Sequence, residues 1–392
     1  MLDAHLKSIM SKKIKVIELI NEIGDGGAET LVKDYALYLN SDLFDITILT
    51  EYPLSIKSAN VRVLMENNKC ILAPWGVSKE RVFEKIIRKI RKLLIPIKIQ
   101  DKYREWYVVH HLLKIQPNVI HVHMQMLKYL PKVSGALKNT KIFYTCHSLP
   151  KRYLDPVMCE KEYTAAKFLI ENNGLKMIGL HNSMRNELNH LLHVSNSIVV
   201  RNCIDVNKFR KIPFSKSEIR KEIEIPQDAF VLGHTGRFCS IKNQTFLIDV
   251  FMHISKQVPN AFLLMIGGGD ASEVISKIDS YGLTNKYKIL SNRSDVNILL
   301  HAMDVFIFPS LFEGMPIALI EAQAAGIKCI ASSTITNEAI VSVKSMQLNL
   351  DLGPQVWAEW ILSNNFEGKP QFDVMDYDVK NVMKEIEQLY TR

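Results

Sequence analysis

Between Phe308 and Glu321 the chain carries two carboxylates in a setting suited to an anionic, hydroxyl-rich ligand. An apolar run ends at Phe308, a loop holds Glu313 and Gly314, and Pro316 stands where the first turn of a helix accepts proline. The start of such a helix leaves backbone N–H groups free and carries partial positive charge, which suits a diphosphate or a sugar hydroxyl. Glu321 falls about one and a half turns into the helix. A bend at Gly314 would bring both carboxylates to one ligand, as acceptors for sugar or ribose hydroxyls. A bare pair of glutamates at this spacing is ordinarily solvated. The preceding strand, the glycine and the proline separate this pair from that background.

A second segment, Gly233 to Asn243, follows the same logic with the opposite charge. Gly236 lets the backbone turn tightly where a strand ends, and Arg237 and Lys242 lie just beyond it. A nucleotide diphosphate gains negative charge as it leaves, and two fixed cations aimed there stabilise that charge without a metal. Ordinary surface basicity is the competing reading, and the presence of Glu313 weighs against it.

The residues that carry a family resemblance are Gly26, Gly27, Ala28 and Glu29 in the first loop, and Gly236, Arg237 and Phe238 followed by Lys242 and Asn243. Arg293 with Asp295 and the segment from Glu313 to Glu321 complete the set. On these the sequence resembles the family 4 glycosyltransferases, retaining enzymes of the GT-B fold, particularly those of bacterial capsule and exopolysaccharide assembly. The resemblance runs over nearly the whole chain and is more specific in its second half. It implies that Arg237 and Lys242 bind the donor diphosphate and that Glu313 contacts the donor sugar beside the backbone of Gly314 and Met315. Glu321 would hold the ribose hydroxyls, and Gly236 and the loop around Arg293 would belong to the nucleotide site, the latter against the base. In the first domain it implies Gly27 near the diphosphate and the acceptor, and His147 facing the donor sugar. Retention of anomeric configuration, a UDP-sugar as cosubstrate, a lipid-linked saccharide as acceptor and no metal or other cofactor are implied with it. No side chain stands out as a covalent nucleophile. The sequence departs from the family at Cys203, which replaces a glycine between Arg201 and Asp205. A second departure, from Ser332 to Glu338, leaves Glu338 without an assigned role.

The elements that must hold these residues alternate between short apolar runs and helical spacing. Strands are expected at Lys15–Ile20, Asp45–Leu49, Val61–Leu64, Val119–His123, Lys141–Cys146, Met177–His181 and Ser197–Val200. Others are expected at Phe230–Thr235, Phe262–Ile266, Tyr287–Leu290, Val305–Phe308 and Lys328–Ala331. Helices are expected at Glu29–Leu39, Asn243–Gln257, Pro316–Ala325 and Val379–Leu389. This alternation means parallel sheets covered by helices, with ligands at the carboxyl ends of the strands. The arrangement occurs twice, which gives an α/β fold of two facing, doubly wound Rossmann-like domains with an interdomain cleft, as in GT-B. The expected division is 1–205, 206–375, and a C-terminal helix at 376–392 packing back on the first domain. Gly267 to Asp270 is a strand-end turn and lacks the spacing of a dinucleotide fingerprint.

Length and composition agree with two globular domains: 392 residues, 47% hydrophobic and 23% charged. The six cysteines are scattered without metal-binding or disulfide spacing, which fits a reducing compartment. No apolar run approaches the ~20 residues of a membrane span, so a cytoplasmic chain is expected, with peripheral contact to the inner face of the membrane as an option. His121 and His123 share one face of a strand, but no acidic or cysteine ligand is recognisable beside them, so no metal is assigned. The net charge of +8 is concentrated in the first half, much of it in Lys79–Arg104. There Ile86, Ile87, Ile90, Leu93 and Leu94 recur at near-helical spacing among Lys85, Arg88, Lys89, Arg91 and Lys92. That pattern is either a solvated face or an attachment to anionic lipid headgroups. Nucleic acid is not expected as a partner, because no aromatic platform accompanies the charge. Two other readings stay open on this fold: a non-hydrolysing nucleotide-sugar epimerase, and a degenerate transferase that only binds partners.

Overall fold

A computed structural model describes residues 13–78, 95–291, 293–363 and 365–392. The chain forms two compact units: Met1–Arg201 with Val382–Arg392, and Asn202–Asn381. The basic stretch 79–94 lies outside the described residues, so the apolar and basic pattern expected there has no structural counterpart to report.

In the first unit the strands are β1 (Ile14–Ile20), β2 (Phe44–Thr50), β3 (Leu54–Ser55), β4 (Cys70–Leu72), β5 (Val77–Ser78), β6 (Val119–His123), β7 (Lys141–Thr145), β8 (Lys176–Gly179) and β9 (Ile198–Val199). Seven of them form one sheet in the order β4-β2-β1-β6-β7-β8-β9, and β3 pairs with β5. Every pairing in the large sheet is parallel, so its loops collect at two opposite edges. The central strands are largely buried, as in parallel sheets covered on both faces, and all of β6 is buried even though it carries His121 and His123. The last helix, Val379–Thr391, reaches this unit through Val382, Met383, Ile386 and Tyr390, whose spacing puts them on one buried face. Among the hydrogen bonds that fasten it are Asn40 N–H to Glu387 Oε1 at 2.8 Å and Lys141 Nζ to the Tyr390 carbonyl at 3.0 Å.

One expected strand is a helix. Val61–Leu64 lies inside Ala59–Glu66. Ser58 caps this helix by accepting from Val61 N–H, which supplies a partner to an otherwise orphaned donor. Val61 and Leu64, three residues apart, are both fully buried, while Arg62 turns out to cap the carbonyls of Ile56 and Lys57. The short apolar run was therefore the inner face of a helix rather than a strand.

In the second unit the strands are β10 (Phe230–Thr235), β11 (Ala261–Ile266), β12 (Tyr287–Leu290), β13 (Val305–Phe308), β14 (Lys328–Ser332) and β15 (Ser345–Leu348), in the order β12-β11-β10-β13-β14-β15. All are parallel. Strand β15 was not anticipated: Ser345 and Gln347 alternate with Met346 and Leu348, and so short a run carries little signal. The core on one face gathers Leu247, Phe251 and Ile254 of the helix Gln244–Gln257 with Trp357, Ala358 and Ile361 of the helix Gly353–Ser363. Trp357 buries its ring against Phe246 edge-on and gives its N–H to the Asn349 carbonyl at 3.0 Å.

Candidate functional site

Because the second sheet is wholly parallel, the loops after β10, β11 and β13 leave its carboxyl edge side by side. Backbone bonds bind them together. Gly236 N–H donates to Ile266 O at 2.9 Å, Phe238 N–H to Gly268 O at 2.8 Å, and Leu311 N–H to Ile241 O at 2.8 Å. Asn243, in the left-handed region at φ 53°, donates its side-chain amide to Pro309 O at 3.2 Å. At Gly267 a Cβ would stand 1.9 Å from Gly236 O, so the first glycine of the Gly267–Gly269 turn serves backbone-to-backbone packing with the Gly236 loop.

On this platform Lys242 Nζ lies 2.6 Å from Glu313 Oε1 and 5.0 Å from the centre of the Phe308 ring. The two charged side chains are largely covered, at 19% and 14% exposure. A lysine ammonium has three donors, and the pair with Glu313 uses one of them. Gly314 and Met315 are buried, and their backbone N–H groups make no hydrogen bond among the described residues. They stand just before the helix Ile317–Ala324, whose start adds partial positive charge. Arg237 is exposed on the same loop as Gly236. Beneath this surface His234 is fully buried, donates from Nδ1 to Ile307 O at 2.9 Å, and stacks on Phe306 and Phe308. Burial holds its pKa down to about 4, so the ring stays neutral under the two cations.

Two further expected residues lie on other elements of this unit. Glu321 is half-buried inside the helix Ile317–Ala324. Arg293 follows β12, at the sheet edge two strands from β10, and forms a two-pronged pair with Asp295 at 2.8 and 2.5 Å. No hydrogen bond or ion pair joins Arg293 to Lys242 or Glu313 among the described residues.

The first unit has its own cluster at the carboxyl edge of its sheet. Gly27 opens the helix Gly27–Tyr38. The loop before it is fixed by Asp25, whose Oδ1 accepts from Ser58 Oγ at 2.8 Å and Asn60 N–H at 3.2 Å, while Asn60 gives its amide to Gly24 O at 2.9 Å. His147, half-buried just past β7, places Nε2 2.8 Å from His123 Nδ1. The other nitrogen of His123 meets Glu18 Oε2 at 2.8 Å. Tyr390 Oη donates to Glu18 Oε1 at 2.9 Å and lies 2.6 Å from His121 Nδ1, whose opposite nitrogen lies 2.6 Å from Thr145 Oγ1. Burial raises the pKa of Glu18 to about 7, against the pull of His121 and Tyr390, and lowers that of His123 to about 3. His121 and His147 are also held well below the ordinary histidine value, by burial first and then by neighbouring His123.

Glu18 is the functional candidate that reading the sequence missed. It is the acidic neighbour of the His121–His123 pair, and its one signal was a carboxylate inside the apolar run Ile14–Ile20. Glu18, His121 and His123 offer donor atoms within 4.8 Å of one another, near enough for one cation. The hydrogen bonds just described occupy all of those atoms, so the residues are satisfied as a closed polar network.

Two Rossmann-like halves of parallel α/β sheet, with polar loops at the carboxyl edges, define the GT-B class of fold. Residues 215–345, which hold Arg237, Lys242, Arg293, Glu313 and Glu321, match the family described as Glycosyl transferases group 1, so the chain carries a group 1 glycosyltransferase domain. It is 30% identical over 203 residues to the putative glycosyltransferase EpsF of Bacillus subtilis, covering 51% of this chain and 50% of that protein. It is 24% identical over 232 residues to the UDP-Gal:alpha-D-GlcNAc-diphosphoundecaprenol alpha-1,3-galactosyltransferase of Escherichia coli, covering 57% of this chain and 60% of that one. The chain thus spans between half and three fifths of the length of these curated relatives. The fold matches Anabaena HepE in complex with UDP-glucose, with a TM-score of 0.73 at 17% identity over 96% of this chain and 99% of that one.

Proposed function

We propose that the protein is a retaining glycosyltransferase that moves a sugar from a nucleotide diphosphate, by preference UDP, to a hydroxyl of a lipid-linked saccharide in surface-polysaccharide assembly. The observation that carries this reading is the joined pair Lys242 and Glu313 beside the free N–H groups of Gly314 and Met315. The remaining donors of Lys242, the Arg237 guanidinium and the two N–H groups meet the negative charge that grows on the departing diphosphate. Charge neutralisation by these fixed cations takes the place of a divalent ion, so the reaction needs none. Glu313 accepts from the donor sugar and Glu321 from the ribose, Gly236 gives the nucleotide loop its close approach, and Arg293 with its partner Asp295 presents a rigid flank to the base. In the first unit Gly27 serves the acceptor side and His147 takes part in the same reaction.

The acceptor class draws on the relatives, whose names concern capsule and undecaprenyl-linked substrates. It also draws on the helix Ile97–Ile115, which leaves Ile97, Ile99 and Trp106 exposed beside Lys98, Lys102 and Arg104. No helix among the described residues is long and apolar enough to cross a membrane, so contact of this kind would be peripheral.

The test is a thermal-shift screen of nucleoside diphosphates and nucleotide sugars in a metal chelator, followed by product analysis with and without a polyprenyl-diphosphate saccharide. A diphosphate nucleoside that raises the unfolding temperature, and transfer that survives chelation, are expected. Strict dependence on a divalent ion would overturn the metal-free reading. An epimerised sugar nucleotide formed with no acceptor would overturn the transferase reading.

A further inference from the structure

We propose that Glu18 and His123 are positioning residues that decide which ring nitrogen of His147 carries the proton, through a hydrogen-bond relay from the sheet interior to the carboxyl end of β7. The catalytic consequence rests on the role given to His147 above; the relay itself does not.

Along the His123 side the geometry offers two directions, set by whether Glu18 Oε2 accepts or donates. Tyr390 Oη has one hydrogen, which it gives to Glu18 Oε1, so it accepts from His121 Nδ1–H, and His121 Nε2 in turn accepts from Thr145 Oγ1. That side of the network keeps this direction while Glu18 is ionised. On the other side, an ionised Glu18 accepts from His123 Nε2–H at 2.8 Å. His123 Nδ1 then carries a lone pair and must accept from His147 Nε2–H, also at 2.8 Å. His147 is left with a bare Nδ1, which makes no hydrogen bond among the described residues. When Glu18 holds its proton on Oε2 the arrows on the His123 side reverse: Glu18 donates to His123 Nε2, His123 Nδ1–H donates to His147 Nε2, and His147 carries its hydrogen on Nδ1.

The two states differ by one proton. A proton taken at His147 Nδ1 releases the Nε2 proton to His123 Nδ1, and the His123 Nε2 proton passes to Glu18. Each ring gains one proton and loses one, so both histidines stay neutral while the charge changes on the buried carboxylate. His147 is thereby a base that never becomes an imidazolium. The groups facing the Glu18 carboxyl are His121 and His123 of β6 and Tyr390 of the last helix, with Tyr35 stacked on His121 at 5.5 Å. Burial keeps both histidines neutral and pushes Tyr390 well above its ordinary value. Only Glu18, raised to about 7, is left to titrate near neutrality.

The test is a nitrogen-15 NMR titration of the full chain labelled at histidine, from about pH 5.5 to about pH 8.5, with His147 assigned by its loss in H147Q. The wild-type ring should remain neutral and move its proton from Nδ1 to Nε2 with a midpoint at about 7. In Glu18→Gln the amide carbonyl accepts from Tyr390 and the NH₂ group donates to His123, so His147 should hold its proton on Nδ1 at every pH. A single wild-type tautomer across the range, an imidazolium at His147, or a variant that follows the wild type would each overturn the relay. Should Glu18→Gln fail to fold, the wild-type titration alone decides. No substrate is needed, so missing transfer activity would count against the proposed function and leave the relay standing. Transfer by a protein whose His147 keeps one tautomer would do the reverse.

Discussion

Lys242 Nζ and Glu313 Oε1 are 2.6 Å apart, and this ion pair ties the loop that follows β10 to the loop that follows β13. The cation assigned to the diphosphate and the carboxylate assigned to the sugar therefore hold each other in place. Glu313→Ala should lower the transfer rate by roughly 10²–10³-fold, the loss typical of one preorganised charge or dipole. Its cost in stability should be about 1 kcal/mol or less, because both partners still reach solvent. Steady-state kinetics paired with a thermal melt separate the two, and an unchanged rate would remove Glu313 from the chemistry.

Lys242→Met keeps the stem over the Phe308 ring and deletes the charge. It should weaken binding of a nucleoside diphosphate by roughly tenfold or more, the worth of a hydrogen bond to a charged group. Calorimetric titration with the wild type as reference measures it, and equal affinities would contradict a phosphate role.

Gly267 and Gly268 make a matched pair. A methyl group at Gly267 would fall 1.9 Å from Gly236 O, whereas one at Gly268 would meet nothing within 4 Å. Gly267→Ala should destabilise the second unit by about 1–3 kcal/mol by forcing two loop backbones apart. It should also impair nucleotide binding through the displaced Gly236 loop, and Gly268→Ala should do neither. Urea unfolding of both variants is the measurement, and equal midpoints would show that the loops are not packed this closely.

Stability should fall with acid. The folded-state pKa values of His121, His123, His147 and His234 are lowered below the ordinary histidine value, so these rings must charge on unfolding below about pH 6.5. Glu18 and Glu162 are raised from 4.5 to about 7, so their contribution runs the other way: present at low pH and lost as pH rises through 7. Between pH 6.5 and 4.5 the four lowered histidines outnumber the two raised carboxyls, so the net sign is a loss of stability on acidification. Denaturant midpoints across that range test the sign, and a rise in stability toward pH 5 would refute it.

Exposed Ile97, Ile99 and Trp106 should matter on a surface and not in solution. Trp106→Ala combined with Ile97→Ser should reduce sedimentation with anionic lipid vesicles while leaving transfer to a soluble acceptor analogue intact. Unaltered sedimentation would argue that the helix Ile97–Ile115 does not meet lipid.

The second unit was the legible half of the sequence, for a physical reason. Glu313, Gly314 and Pro316 are local signals, in which a strand end, a turn and a helix start within one short stretch constrain one another. The pairing of Lys242 with Glu313 was not read from the sequence; it appears in the fold, where the loops after β10 and β13 leave the same sheet edge. The Glu18 network was not legible, because its members come from β1, β6, the end of β7 and the last helix, and only the folded sheet makes them neighbours. The mistaken strand at Val61–Leu64 has a related cause. Four residues show no period, and the Ser58 cap that decides the matter acts through Asp25 and Gly24 of a distant loop.

Tyr390 gives the chain an unusual order of completion. The first unit's sheet can be fully translated while the phenol that satisfies its buried carboxyl is still unmade, since that residue arrives only after the entire second unit has left the ribosome. The unit whose translation starts first is the unit whose last hydrogen-bonding partner is made last. Damage to the last turn of the final helix would consequently be felt as a defect in a portion encoded far upstream.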